Sequence, residues 1–438
     1  MTAVPSSPEI VEAVRRQRAY LLDTLGRFVD VASLSGQEQA AADFMEARLG
    51  DLGLKSERIH LDTDALSGLP LYSPRCCPDG GRYNLLAVHE PRHETGRSVL
   101  FNGHLDVVPT GPEALWARPP FQSHVDGDWL FGRGAGDMKA GIVCTLAALK
   151  TLQSLGLQPA GRVGFNAVLE EECTGNGALA SVSALRRSIN AGKLAAFDVV
   201  LIPEPGGERL IAAQMGVLWL EIRITGRPAH AAVMTQGASA IDAAIAVIAD
   251  LKLLEAEWNA PAARHPVYRD HAHPINFNIG QIHGGEWNSS VPCMCTIGVR
   301  IGFYPDRSVD SAATEVEKRV RAAIARLDSD LSLTIRGEGF RAPGCEFDLD
   351  GDGIQALDRA NASVHGTRIK RHAITATTDA RHFKLMLDTP VTCFGPEARN
   401  IHGIDESVSI ESILRVTTTF AQFLVDWCGV EPLEPRGP

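Results

Sequence analysis

The chain reads as an α/β protein. A domain with a mostly parallel sheet flanked by helices is formed by residues 1–212 and 331–438, and a smaller α+β domain over 213–330 interrupts it. Three observations predict this. Short apolar runs alternate with helical patterns up to about residue 212, as βαβ units require. "GVLWLEIRITG" then alternates cleanly, with Leu218, Leu220, Ile222 and Ile224 on one face and Trp219, Glu221, Arg223 and Thr225 on the other. That is the pattern of an antiparallel sheet with one wet face. The α/β pattern finally returns in "IQALDRANASVHG" and persists to the end.

Each element follows from its local pattern. "SPEIVEAVRRQRAYLLDTLGRFVDVAS" carries apolar residues at helical spacing and opens at Ser7 or Pro8. "RSVLFNGHLDVVP" reads as a buried strand. In "GDMKAGIVCTLAALKTLQSLG", Met138, Ile142, Leu146, Leu149 and Leu152 recur at helical steps and Gly156 closes the helix. "RVGFNAVLEEE" and "AFDVVLIPEP" are strands that end in carboxylates. Inside the insert, "GASAIDAAIAVIADLKLLEAEW" and "VDSAATEVEKRVRAAIARL" are helices, while "INFNIGQIHGG" and "CTIGVRIGFY" are strands.

Bulk properties narrow the function. With 438 residues the chain is long for one core, and its 45% hydrophobic content is that of an ordinary globular protein. A formal charge of −11 argues against nucleic acid or an anionic membrane as partner. No apolar run is long enough to span a bilayer, and the start lacks a secretory core with a small-residue cleavage site. Nine cysteines at scattered spacings do not form a secreted disulfide framework. A cytoplasmic protein is expected.

The chemistry-bearing residues sit where strands stop. His104 and Asp106, two apart at the end of an extended run, would share a face. Asp137 follows "GRGAG", Glu170, Glu171 and Glu172 follow "VGFNAVL", Glu204 lies in "LIPEPGG", and His402 follows another short apolar run. In open α/β sheets ligands bind beyond the carboxyl ends of the strands, so these groups can converge. Taken singly, each has a dull explanation: a core histidine, a helix cap, a solvated turn. Together, two imidazoles and several carboxylates suit a borderline divalent cation such as Zn²⁺. Two such cations about 3.5–4 Å apart, sharing one carboxylate, make a hydrolytic centre. Two other motifs fail. In "GRGAGDMKAG", Lys139 stands where a dinucleotide fingerprint needs its third glycine. "DLDGDG" begins like a calcium loop, but Arg359 occupies the twelfth position, where a glutamate is required, so Asp352 is expected to cap a helix.

The ordered series "GHLDVVP", "GRGAGDMKAG", "EEECTGNGA", "PEP", "GRPAHAA" and "NIHGIDESV" resembles the M20 metallopeptidase family over nearly the whole chain. That group includes acetylornithine deacetylase, succinyl-diaminopimelate desuccinylase, aminoacylase and carboxypeptidase G2. The resemblance implies two divalent cations per subunit, Zn²⁺ with Co²⁺ or Mn²⁺ as alternatives. One would be held by His104, Asp137 and Glu204, the other by Asp137, Glu172 and His402. Asp106 would fix the ring of His104, and Glu171 would be the general base that passes a proton to the leaving amine. The insert would be a lid and dimer interface, with His230 reaching into the partner's site to hold the oxyanion. Substrate contacts would come from Asn288, Ser289, Arg300, Asp379 and Arg381. The chain departs from the family pattern at Glu170, where aspartate is common, and at Ser289, where an asparagine often stands. The implied reaction is removal of an N-acyl group (acetyl, formyl or succinyl) from a small amine or amino acid. A carboxypeptidase or dipeptidase of the same family, and a non-catalytic metal-binding relative, are the alternatives.

Overall fold

The structure is a computed structural model that describes residues 4–327 and 330–433. Its largest sheet has six strands in the order Ser56–His60, Tyr83–His89, Val163–Val168, Val99–His104, Val199–Ile202, Val391–Cys393. The last four run parallel, while the first two pair antiparallel at one edge. The sheet is thus mostly parallel, as expected, with an antiparallel edge formed by Ser56–His60 and Tyr83–His89 that the α/β alternation does not announce. Val99–His104 lies between Val163–Val168 and Val199–Ile202 and runs with both. Their carboxyl ends consequently deliver His104, the 169–172 segment and Glu204 to the same rim.

Helices cover both faces. A Cβ on Gly103 would meet Ile142 of the helix Ala140–Ser154, and Phe101 packs edge-on against Phe420 of the helix Ile410–Phe423, so both helices lie on that face. Asn84, on the opposite face, donates to Gly177 O and Ser181 Oγ of Asn176–Asn190. The expected apolar stripe of Ala140–Ser154 is in fact buried nearly all round, since Ile410–Phe423, Ser7–Arg16 and Arg18–Val29 all pack against it. The opening helix divides at Gln17 into Ser7–Arg16 and Arg18–Val29. Asp352 is the first residue of the helix Asp352–His365, with Gly351 in the cap position.

The alternating segment is the strand Gly216–Thr225 of a four-stranded antiparallel sheet, ordered Phe277–Gly284, Met294–Phe303, Gly216–Thr225, Ser332–Ala342. Leu218, Leu220, Ile222 and Ile224 pack with Val247, Leu251 and Leu254 of Ala240–Asn259 and with Val316 and Val320 of Val309–Ala325. The fourth strand, Ser332–Ala342, lies past residue 330, where the sequence pattern ended the insert. Its run "SLTIRGEGFRA" is broken by two glycines and by a register shift opposite Leu218/Leu220, which hides the period of two. Among the described residues no helix is long and apolar enough to cross a membrane.

Candidate metal centre

His104 ends the central strand, fully buried, and its Nε2 lies 3.1 Å from Asp137 Oδ1 and 4.0 Å from Glu204 Oε1. His402 comes from the loop between the short strands Ala398–Arg399 and Ser407–Ser409, in left-handed backbone at φ 62°. Its Nε2 is 3.0 Å from Glu172 Oε2 and 3.6 Å from Asp137 Oδ2. Asp137 thus presents one oxygen to each imidazole. Within each trio, His104–Asp137–Glu204 and Asp137–Glu172–His402, the donor atoms lie within 4.8 Å of one another.

Two buried carboxylates hold the loops that carry these groups. Asp106 was expected to steady His104 through its side chain. Instead, the Nδ1 of His104 meets the main-chain oxygen of Asp106 at 2.8 Å, and the nearer carboxylate oxygen is 3.7 Å away. The Asp106 carboxylate accepts the N–H of Glu171 and of Glu172, each at 3.1 Å, and the hydroxyl of Ser35. It therefore fixes the adjacent glutamates. Glu406, which the sequence motifs did not single out, does the same for Asp137. Its Oε1 accepts from Gly136 N and Asp137 N, and its Oε2 from Gly134 N and the Arg133 guanidinium at 2.6 Å. These bonds hold 134–137 off the helical path, with Asp137 extended at φ −112° and ψ 98°.

The electrostatics call for a cation. Burial raises the Glu171, Glu172 and Glu204 carboxyls, with Asp379 adding most to Glu171 and Asp137 adding most to the other two. Burial also opposes charge on the histidines, yet the bond to Asp137 and the charges of Glu204 and Asp106 lift His104 well above its ordinary value. Glu172 and Asp137 likewise lift His402 to about 11. So many buried carboxylates can ionise together only around positive charge. The Nε2/carboxylate donor set is that of Zn²⁺ and its neighbours. Glu171 Oε1 is buried with no hydrogen-bond partner, an acceptor left for a water or a reactant. The residues fit a two-cation centre.

A cavity of about 460 Å³ opens onto the centre. Glu171, Glu172 and His402 form one wall, and Trp219, Asn278, Arg300 and Phe340 form the other. Arg300 pairs across the sheet with both Trp219 and Asn278, so the face marked wet by its alternation roofs the cavity. The Arg300 guanidinium donates only to Thr375 O at 3.3 Å, and no carboxylate among the described residues neutralises it. Trp219, an aromatic among Glu221, Arg223 and Thr225, was the visible but unused signal for this wall. Asp379 and Arg381 are fully buried beneath Glu171. Asp379 accepts from Asn102 at 3.4 Å, and Arg381 donates to Thr378 O at 2.6 Å. His230, Asn288 and Ser289 are not brought to the centre within this chain. They lie exposed and side by side, tied by Ala231 N to Ser289 O and by Val291 N to Ala229 O.

The chain is 27% identical to N-formyl-4-amino-5-aminomethyl-2-methylpyrimidine deformylase of Bacillus subtilis over 359 residues, covering 76% of this chain and 79% of that protein. It is also 27% identical to succinyl-diaminopimelate desuccinylase of Methylorubrum populi over 401 residues, 90% of this chain and 94% of that one. In fold it is similar to the di-peptidase Dug1p from Saccharomyces cerevisiae, with a TM-score of 0.81 at 16% identity over 97% and 99% of the two chains. Residues 100–426 match the model of peptidase family M20/M25/M40. The chain belongs to that family of metal-dependent hydrolases acting on amide C–N bonds.

Proposed function

We propose that the protein removes an acetyl, formyl or succinyl group from the nitrogen of a small amine or amino acid. The observation that carries this reading is the unpartnered Glu171 Oε1 at the wall of a small cavity, beside a carboxylate that faces two imidazoles. His104, Asp137 and Glu204 would hold one divalent cation, and Asp137, Glu172 and His402 a second. Zn²⁺ is the first candidate and Co²⁺ or Mn²⁺ the alternatives. Such cations, when bound, polarise an amide carbonyl and make water acidic enough to attack it at neutral pH.

The chain supplies the rest. Glu171 accepts the proton of the attacking water and returns it to the departing nitrogen, a role that suits a carboxyl raised by its dry surroundings. Asp106 keeps Glu171 in place through its main-chain N–H. Arg300 offers an unneutralised guanidinium to an anionic group of the substrate, and Trp219 and Phe340 enclose the remainder. His230 with Asn288 and Ser289 would serve the centre of a second copy, as a homodimer through the insert requires. The exposed apolar residues Ile245, Leu253 and Ile282, on the outer helix and the edge strand, support that surface. Mixing His230→Ala with Glu171→Ala subunits should then restore turnover, and verified mixed dimers without activity would remove His230 from the reaction.

The reading is tested by amine release from N-formyl, N-acetyl and N-succinyl amines and from dipeptides, with Zn²⁺ or Co²⁺ and again with chelator. Chelator-sensitive turnover of one acyl class supports it. Turnover of dipeptides alone makes the protein a dipeptidase, and silence from a metal-loaded chain points to the non-catalytic relative.

A further inference from the structure

All nine cysteines are free, and three of them, Cys76, Cys77 and Cys173, adjoin one another, with Cys76 lining the cavity. Cys76 is exposed and lines the cavity with Glu171 and Glu172. Cys77, half-buried, packs on Gly36, where an added Cβ would lie 3.3 Å from its Sγ. Cys173 is buried directly after Glu172, and its thiol adjoins those of both Cys76 and Cys77. Gly339 marks the same junction from the insert: a Cβ there would stand 2.9 Å from Cys76 Sγ and 2.9 Å from Cys173 O.

The trio is not a metal site. Among the described residues the clusters with ligand geometry contain no cysteine. Nor does core packing account for it, because Cys76 is at the surface in an irregular segment between Thr63–Leu66 and Tyr83–His89. An accessible thiol poised next to a second, resolving thiol is instead an arrangement that redox-responsive cysteine pairs use. The buried thiol also sits at a sensitive place. Its neighbours Glu171 and Glu172 are held by Asp106, and the turn is closed by Thr174 N and Gly175 N donating to Glu170 O.

We propose that Cys76 and Cys173 are a reversible modification site, at which a low-molecular-weight disulfide such as oxidised glutathione converts them to an internal disulfide. The Cys76 sulfur attacks one sulfur of the small disulfide and releases one small thiol. The Cys173 sulfur then displaces the second. Two protein S–H bonds and one small S–S bond are lost, and one protein S–S bond and two small thiols are formed. The oxidant is reduced by the two electrons that the protein thiols give up. The new bond ties the cavity wall to the residue beside Glu172 and so lowers turnover until a reductant breaks it.

The test uses the metal-loaded full chain, incubated with oxidised glutathione, blocked, unfolded and digested without reductant. The expected result is loss of two of the nine titratable thiols and a peptide pair joining Cys76 to Cys173, both reversed by dithiothreitol. Cys173→Ser should trap glutathione on Cys76, and Cys76→Ser should leave both the adduct and the cross-link absent. Nine unreacted thiols, a glutathione adduct that persists on Cys76 of the unaltered chain, or a bond from Cys77 would each overturn the assignment. The readout needs no substrate, so it is independent of which acyl group the enzyme removes.

Discussion

Replacing Asp106 by asparagine separates two ways in which this residue can serve the centre. The side chain is fully buried and its two oxygens accept the N–H groups of Glu171 and Glu172, one each, at 3.1 Å. An amide of the same shape keeps one acceptor and turns an NH₂ toward the other N–H, so one charge-assisted bond is lost and two donors face each other. A hydrogen bond to a charged group contributes about 1.5–3 kcal/mol, and an orphaned buried donor costs about 1–3 kcal/mol. Taken together, roughly 3 kcal/mol of positioning energy is removed from the glutamate pair, which corresponds to about a hundredfold in rate if it falls on the transition state. The His104 ring meanwhile keeps its bond to the Asp106 main-chain oxygen. The expected outcome for Asp106→Asn is a fall in kcat of about two orders of magnitude. Calorimetric titration should show both cations retained, since Asp106 is in neither ligand trio. A kcat within a few-fold of the parent would refute the reasoning. So would loss of a cation with unchanged turnover per bound metal, because Asp106 would then act through the imidazole.

Three further outcomes follow from the geometry. Glu171→Ala should retain its cations, since Glu171 is in neither ligand trio, and lose about 10²–10⁴ in kcat; metal analysis beside turnover checks this. Glu406→Gln removes the charge that faces Arg133 and three backbone N–H groups, so urea unfolding should show a loss of about 3–5 kcal/mol together with weaker metal binding. His365, half-buried with its Nε2 on Arg415 O, is held below its ordinary pKa by burial. A depressed histidine stabilises the fold above its unfolded pKa of about 6.5, and that contribution is lost as pH falls below this value and through the lower folded one. The stability difference between the parent and His365→Gln should therefore shrink from about pH 8 to about pH 5, and a constant difference would exclude the effect.

Of the five candidate ligand positions, His104, Glu172 and Glu204 are legible because they follow apolar runs that fold as parallel strands ending at one rim, whereas Asp137 and His402 come from loops. What was misread failed for identifiable reasons. The strand stops at His104, so period-two alternation does not carry on to Asp106, and the backbone beyond presents the Asp106 carbonyl to the ring. Glu406 lies four residues after His402 but reaches the 134–137 loop some 270 positions away, a contact that only the fold reveals. Trp219 was assigned to the correct face, yet only the folded sheet shows that this face looks into the cavity. Ser332–Ala342 escaped notice because glycines and a bulge interrupt its alternation. His230, Asn288 and Ser289 stay exposed in a single chain, which is where a residue meant for the partner's centre would lie, so one chain does not test that reading.

Everything in the centre turns on Asp137, the one carboxylate common to both trios. The most direct measurement is metal stoichiometry, by elemental analysis and calorimetric titration with Zn²⁺, of the parent and of Asp137→Asn. A shared centre predicts two cations per chain in the parent, weakened binding of both in the variant, and loss of amide hydrolysis with them. A parent that saturates at one cation, or a variant that keeps two with undiminished affinity, would contradict it.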